Sequence, residues 1–274
     1  MTKEEMDEYS VEYEYMKEHS FVDVTKHAKY PPVAISSGVF SSHGTLLPIP
    51  IVTYGNILFI QAPPKTMKTF FVSLLASSYL NGKKEYTGNI KGHPDGRKLL
   101  HIDTEQGEWH ASRTFRRVMD MSDVNKEMYL PFALREFSCD DIIKFIETHL
   151  HLNQDIGVII IDGIADLVRD VNDIASSFET VKTLMRLSTK YNCAIVTVIH
   201  SNYGSDKPTG HLGSFLEKKA ETQIKLEPNP TVPGHILVKC KRSRNTSFDT
   251  ITFMVNEKHY PVVIEVEDPI EHLR

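Results

Sequence analysis

Short apolar runs alternate with longer segments of helical pattern through the middle of the chain. The run at 57–60, Ile-Leu-Phe-Ile, is wholly apolar and is soon followed by a pair of prolines, which is typical of a buried strand. Similar strands are predicted at 98–102, 157–161 and 193–199, and helices at 68–80, 109–121, 142–152 and 177–190. Buried strands that alternate with helices predict an α/β fold with a mostly parallel central sheet, flanked by helices through right-handed crossovers.

The two ends of the chain differ from this middle part. Residues 1–29 are acidic and rich in Glu and Tyr, which fits either a helical arm or a solvated tail. Residues 30–50 contain Pro, Ser and Gly as in an irregular lead-in with one edge strand. The last third predicts shorter, antiparallel strands. We therefore expect an acidic arm and lead-in at 1–50 and one α/β domain at 51–274.

Net charge and cysteine spacing narrow the class of protein. The formal net charge is −5 over 274 residues, so contact with nucleic acid requires a local basic patch. Cys139, Cys193 and Cys240 lack metal-binding spacing and are expected to be reduced thiols. No segment has the ~20 apolar residues of a membrane span, and the N-terminus has no signal-peptide pattern. We expect a soluble cytoplasmic protein without a membrane contact.

The segment between the first buried strand and the next helix has features of a phosphate-binding loop. Against the pattern GxxxxGK[ST], only Lys68 and Thr69 match, because Ala62 and Met67 replace the two glycines. Lys68 would reach the β- and γ-phosphates of a nucleotide, and the Thr69 hydroxyl would bind Mg²⁺. The expected nucleotide contacts are Ala62, Pro63, Pro64, Lys65, Thr66, Met67, Lys68, Thr69 and Phe70.

Met67 is the unusual residue of this loop. If the loop requires a positive φ at this position, a Met there costs about 1 kcal/mol or more. The alternative is a slightly different path that tolerates a side chain. Taken alone, a Lys-Thr pair at the start of a helix is a weak signal for nucleotide binding.

Two carboxylates at the ends of other predicted strands strengthen the signal. Glu105 follows the strand at 98–102 and is placed to activate a water for attack on the γ-phosphate. Asp162 follows the strand at 157–161 and is placed to hold Mg²⁺. Either carboxylate alone fits a helix cap equally well. Ligands of parallel sheets bind at the carboxyl ends of the strands, so the three features together predict an ATP site.

In this order, the motifs resemble the RecA-like ATPases, and most closely the RepA-type AAA ATPases related to DnaB-like hexameric helicases. The similar segments are GNILFIQAPPKTMKTFF, HIDTEQ, IIIDGIADLVRDVND, VTVIHSN and GHLGSFLEKKAET. The resemblance covers roughly residues 54–255. It implies a RecA-like P-loop core, with ATP and Mg²⁺ as cofactors.

The resemblance also assigns roles outside the phosphate loop. His200 matches a polar residue that senses the γ-phosphate, and 201–213 matches a flexible DNA-binding loop. Lys207, His211 and Lys218 are then DNA contacts, although an ordinary surface loop fits as well. Arg244, with Arg242, matches the finger that completes the site of a neighbouring subunit; a DNA-facing or solvated basic patch is the alternative.

These features predict an oligomeric ATPase that moves on single-stranded DNA, as a replicative helicase in a ring such as a hexamer. A filament-forming recombination or repair ATPase remains open, as do a RecA-like switch or scaffold and a nucleotide-binding protein of low turnover. A replication role would require partner proteins such as a primase or a loader.

Overall fold

The computed structural model describes residues 3–26, 30–42, 44–64, 66–201 and 207–264. Its contacts divide the chain into two units, 1–31 and 32–274. The first unit contains one helix, α1 (Lys3–Ser20), as one of the two sequence interpretations of this region predicts. Tyr9, Tyr13 and Met16 on this helix are about half exposed. None of the helices in the described part of the chain combines the length and apolar character that crossing a membrane requires.

The second unit is built on a nine-stranded sheet. Its strand order is β12-β11-β10-β9-β3-β8-β7-β5-β6. All pairs from β9 to β6 are parallel, and the pairs from β9 to β12 are antiparallel. The strands are β3 (Ile57–Ala62), β5 (Lys98–Asp103), β6 (Tyr129–Ala133), β7 (Ile156–Asp162), β8 (Ala194–His200), β9 (Thr222–Pro228), β10 (His235–Ser243), β11 (Ile251–Val255) and β12 (Pro261–Ile264). The predicted mixed α/β architecture is confirmed.

Helices cover both faces of this sheet because its central strands are apolar on both sides. Every residue of β3 and β7 is buried, and the side chains divide into two apolar clusters. Helices α2 and α4 pack on one cluster, and α5, α6 and α7 pack on the other. The helices are α2 (Lys68–Tyr79), α3 (Lys84–Thr87), α4 (Glu108–Asp120), α5 (Cys139–Leu152), α6 (Ile174–Lys190) and α7 (Gly210–Lys219).

Side-chain caps set the starts of two helices. Ser138 Oγ accepts a hydrogen bond from Asp141 N at 3.3 Å at the start of α5, three residues before the predicted start of this helix. Asp173 Oδ1 accepts one from Ser176 N at 2.6 Å and begins α6 three residues earlier than expected. Each cap satisfies an amide that has no partner within its helix.

The lead-in at 30–50 is not irregular. It forms β1 (Val33–Ser42) and β2 (Thr45–Thr53), which pair antiparallel and, with β4 (Ile90–Gly92), make a three-stranded sheet in the order β2-β1-β4. Prolines are tolerated because β2 is an edge strand. The hairpin has no Asp, Glu, Lys or Arg, yet Val39, Leu46 and Leu47 are 40–68% exposed.

Two other parts of the second unit differ from expectation. Strand β6 has no counterpart in the prediction, because its Pro131 interrupts the apolar run; a Pro is compatible with its edge position. The expected flexible loop at 201–213 is in part regular, since α7 starts at Gly210 and Ser201 forms a β-bridge with Pro208. Anchoring hydrogen bonds from Thr209 and Leu212 explain why this end is ordered.

Candidate functional site

Four neighbouring strands end at one edge of the sheet, and the predicted site residues lie at these ends. Ala62 at the end of β3 is paired with His200 at the end of β8. Asp162 at the end of β7 is paired with Val198 on one side and with Asp103 on the other. Glu105 follows two residues after Asp103. This edge, called the strand-end site below, therefore collects residues that are far apart in sequence.

The loop from Pro63 to Met67 connects β3 to α2 at this edge. Thr66 Oγ1 donates a hydrogen bond to Pro63 O at 2.6 Å and tightens the turn. Met67 has φ 58° and ψ 34°, the left-handed conformation that glycine adopts without cost. The loop thus has the positive φ that the sequence left open. Lys65 lies outside the described residues.

Lys68 and Thr69 form the first turn of α2. Among the described residues, no side chain caps this end of the helix, so its first amides remain available to an anion. Lys68 Nζ lies 2.5 Å from Nε2 and 2.9 Å from Nδ1 of His200. Burial lowers the pKa of Lys68, and the carboxylates of Glu105 and Asp162 oppose this shift. The ammonium therefore sits among groups that retain its charge.

Glu105 lies on the other side of His200. Its Oε1 is 3.8 Å from His200 Nε2, and this neighbour is the main cause that lowers the pKa of Glu105, against the effect of burial. The Lys68 ammonium lowers it further. Gly163 makes room for the carboxylate, since a Cβ there would lie 2.2 Å from Glu105 Oε1. Glu105 is consequently ionised at neutral pH and packed against the end of β7.

Asp162 is a buried carboxylate at the end of β7. Burial raises its pKa to about 7, and the charges of Glu105 and Asp103 add to the shift. Neither of its oxygens has a hydrogen-bond partner among the described residues, although the nearby Thr69 hydroxyl lowers the pKa slightly. A buried carboxylate without a partner is costly unless a cation binds it. Asp162 and Thr69 therefore fit a Mg²⁺ held together with phosphate oxygens.

Several residues that support the site were missed in the sequence. Asp103 Oδ1 accepts hydrogen bonds from the amides of Glu105 at 3.1 Å and Gln106 at 2.8 Å, and so fixes the turn that carries Glu105. Thr104 Oγ1 lies 2.8 Å from both Gly163 O and Asp166 Oδ2. The polar run after β5 is the sequence signal for this network.

Comparisons with known proteins agree with this geometry. A family model described as an AAA domain matches residues 45–206, which is more than half of the chain. The chain belongs to this AAA domain family. A search among curated proteins gives no match.

The AAA domain shares its fold with solved structures of low sequence identity. The RadB recombinase is 17% identical, with a TM-score of 0.53 over 77% of this chain and 92% of the other. The flagellar accessory protein FlaH from Methanocaldococcus jannaschii is 15% identical, with a TM-score of 0.55 over 78% and 91%. The fold of the AAA domain is therefore RecA-like.

A cavity of about 230 Å³ adjoins the phosphate loop of the AAA domain. Phe70 lies at its base, and the Arg117 guanidinium stacks 4.1 Å from the Phe70 ring. Arg117 is fixed by hydrogen bonds to His259 O at 3.0 Å and Ser73 Oγ at 3.2 Å. The remaining lining residues are Gln106, His110, Arg113 and Thr114. The cavity therefore adjoins the first turn of α2, one residue beyond Thr69.

The strand-end site is linked directly to α7. The carbonyl of His200 accepts hydrogen bonds from Thr209 Oγ1 at 2.7 Å and from Thr209 N at 3.2 Å. Of the expected DNA contacts, Lys207 precedes this anchor, while His211 and Lys218 lie on the exposed face of α7. A displacement of His200 would therefore be transmitted to the helix that carries two of them.

Arg242 and Arg244 lie near the amino-terminal end of β3, whereas Lys68 follows its carboxyl-terminal end. Arg242 pairs with Gln223, and Ser243 with Thr222, which in turn lies beside Leu58 near the start of β3. The four residues from there to Ala62 span roughly 13 Å. Both arginines are exposed, and Arg244 is positioned by hydrogen bonds to Glu221 O and Lys219 O. Neither one is at the nucleotide edge of its own chain.

Proposed function

We propose that this AAA domain hydrolyses ATP with Mg²⁺ and works as an oligomeric motor on single-stranded DNA. The observation that carries the hydrolytic part is the combination of Lys68, Glu105 and Asp162 at the strand-end site. An ammonium, an ionised carboxylate and a buried carboxylate without a partner are the groups that phosphoryl transfer to water requires.

Each group has a separate role in this proposal. Lys68 and the amides at the start of α2 bind the β- and γ-phosphates. Thr69 and Asp162 hold Mg²⁺, which neutralises charge on the phosphate oxygens. Glu105 orients the attacking water and accepts its proton, because its lowered pKa keeps it ionised. When the γ-phosphate binds the Lys68 ammonium, Lys68 no longer contacts the His200 ring. His200 can then move, and because Thr209 is hydrogen-bonded to the His200 carbonyl, α7 moves with it.

The position of Arg242 and Arg244 supports an oligomer. Both lie far from the strand-end site of their own chain, so the proposal has them act on the nucleotide of a neighbouring subunit. Arg244 is assigned as the finger that reaches this γ-phosphate, with Arg242 beside it. By the family resemblance, the assembly is a cytoplasmic ring such as a hexamer, of the replicative helicase type, working with a primase or loader. Lys207, His211 and Lys218 contact the DNA strand.

Two observations favour alternatives to a helicase. The fold is shared with a protein titled the RadB recombinase, which supports a filament-forming recombination or repair ATPase. It is also shared with a flagellar accessory protein, and Met67 has a strained conformation, which together support a switch or scaffold of low turnover. Electron microscopy with and without a single-stranded oligonucleotide separates closed rings from open helices.

Steady-state ATP hydrolysis with and without a dT oligonucleotide tests the proposal. Glu105→Gln is expected to bind ATP normally but to hydrolyse it at least about a hundredfold more slowly. Lys68→Ala is expected to lose binding and hydrolysis together. Glu108→Gln, an exposed Glu three residues further on, is the control and retains full activity. A normal hydrolysis rate in Glu105→Gln would show that the base is misassigned, and a rate unaffected by the oligonucleotide would remove the DNA role.

A further inference from the structure

Two phenyl rings meet at the seam between α6 and α7 at the protein surface. Phe178 is 41% exposed, and Phe215 beside it is partly exposed. Their ring centroids are 5.6 Å apart in an edge-to-face arrangement. Ile174, one turn before Phe178, is 58% exposed. An exposed aromatic pair next to a further apolar side chain is typical of a recognition surface.

Two lysines and one histidine border these rings on the two helices. Lys182 Nζ lies 5.9 Å from the centroid of the Phe178 ring. His211 and Lys218 are four residues before and three residues after Phe215, so they lie on the same face of α7, and both are exposed. Within the described residues, none of these three side chains forms an ion pair with a carboxylate. Two lysines thus lie beside the aromatic pair in a chain of net charge −5, and Glu179 is exposed on the same helix as Lys182.

We propose that this seam binds single-stranded nucleic acid, with unpaired bases stacked on Phe178 and Phe215. Lys182, Lys218 and His211 then hold the phosphates that flank the stacked bases. Single strands fit because their base faces are accessible, whereas a duplex hides them. This inference rests on the proposed function and adds to it the residues that recognise the strand.

The seam is connected to the strand-end site through the start of α7. Thr209 is bound to the carbonyl of His200, and Leu212 N donates to Val171 O at 3.2 Å. Gly210, with φ +65°, fits closely against Val171, since a Cβ there would lie 2.4 Å from Val171 O. The start of α7 is therefore fixed between β8 and the segment after β7. Phe215 on α7 is thereby connected through Thr209 to His200 of the strand-end site.

Fluorescence anisotropy of labelled dT and U oligonucleotides, with the full chain and a non-hydrolysable ATP analogue, tests the seam. Phe178→Ala is expected to weaken binding at least about fivefold, as the loss of one stacked base does. Phe178→Leu is expected to weaken it similarly, because it keeps apolar area but loses the aromatic face, whereas Phe178→Trp retains binding. Lys182→Gln is expected to reduce the salt slope by about 0.7.

The control variant is Met185→Ala, because Met185 is also exposed on α6 but lies two turns beyond Phe178. Tighter binding of dT or of U supports the seam in either case and identifies the type of strand. Unchanged affinity of Phe178→Ala overturns the seam and leaves the proposed function intact. If the wild-type chain binds neither oligonucleotide and neither stimulates hydrolysis, the nucleic-acid role itself fails. A changed oligomer mass of Phe178→Ala without oligonucleotide, restored by Phe178→Leu, would show a contact between copies of the chain instead.

Discussion

Met67 shows how a single residue departs from a consensus without losing the backbone conformation. Its φ of 58° costs a residue with a side chain about 1 kcal/mol, whereas glycine adopts it freely. The side chain also packs against the apolar cluster on the α2 face, which offsets part of the cost. The loop therefore keeps its glycine-like turn while carrying a bulky side chain next to the phosphate site.

Met67→Gly is expected to bind ATP several-fold more tightly with little change in Tm. The relief of backbone strain, about 1 kcal/mol, is balanced by lost packing, while phosphates gain access to the loop amides. Nucleotide titration and thermal denaturation measure the two effects. Met67→Ala is the matched control, because it removes the same bulk but keeps the unfavourable φ; equal affinity and Tm for the Ala and Gly variants would contradict the role of φ.

Asp162 makes the stability of the nucleotide-free protein depend on pH. Its pKa is about 7 in the folded state, above the unfolded value of 3.8, so the folded state holds the proton more tightly. The free energy of unfolding therefore falls as the pH rises from the unfolded to the folded pKa. Asp162→Asn removes the buried charge and is expected to stabilise the free protein at pH 8 by on the order of 2 kcal/mol. The gain should be clearly smaller at pH 5, where Asp162 is protonated in the folded state but still ionised in the unfolded chain, and it should vanish only below the unfolded pKa of 3.8.

Denaturant unfolding at pH 8 and pH 5 without nucleotide measures this difference. The same variant is expected to bind Mg²⁺-ATP less well, because the cation loses a charged ligand. An Asn variant that is no more stable than wild type at pH 8 would show that Asp162 is not an uncompensated buried charge.

At the scale of elements, β8 and α7 act as one unit because Thr209 joins them. Thr209→Val removes the hydrogen bond from Oγ1 to His200 O but leaves the one from the amide. Basal hydrolysis is expected to change less than twofold, or about 0.4 kcal/mol, because no reacting group is touched. Stimulation by a dT oligonucleotide is expected to fall, and Thr209→Ser should restore it. Full stimulation of the Val variant would mean that the connection runs elsewhere.

The sequence predicts the central elements well and the edges poorly. Strands β3, β5, β7 and β8 are recognisable because burial on both faces makes them continuous apolar runs. Strands β6 and β2 are edge strands, where Pro131, Pro48 and Pro50 are tolerated but look like breaks in a linear pattern. An edge strand is defined by which strands lie beside it, and the hydrophobic periodicity along the sequence carries no information about these neighbours.

The same distinction applies to the candidate site. Lys68, Glu105 and Asp162 are predictable because they follow strands that a parallel sheet ends at one edge. Asp103 was missed because its role is to bind the amides of Glu105 and Gln106, which depends on the turn and not on a motif. The conformation of Met67 was left open because the sequence shows which residue is present but not the φ that the loop imposes.

At the scale of the whole molecule, each ATP site requires two subunits in this proposal. Arg244→Ala is expected to lower hydrolysis at least about a hundredfold while leaving ATP binding intact, since the finger acts only on the transition state of a neighbour. Mixing this variant with Lys68→Ala is expected to recover activity. In the mixed oligomer, some sites combine the intact Lys68 of an Arg244→Ala subunit with the intact Arg244 of a Lys68→Ala subunit. Purely additive rates in the mixture would argue against a shared site, and Lys258→Ala serves as the control for loss of a surface charge.

The uncharged β1–β2 hairpin and the basic residues of the seam are expected to respond in opposite ways to rising ionic strength. In the proposed complex, salt screens Lys182 and Lys218 from the nucleic-acid phosphates, so it loosens the bound strand. Sulfate and similar ions promote burial of apolar surface, so they draw together hairpins that present Val39, Leu46 and Leu47 without any charge to repel. One titration from low to high ammonium sulfate should thus release the strand first and associate the protein afterwards, in two separate steps.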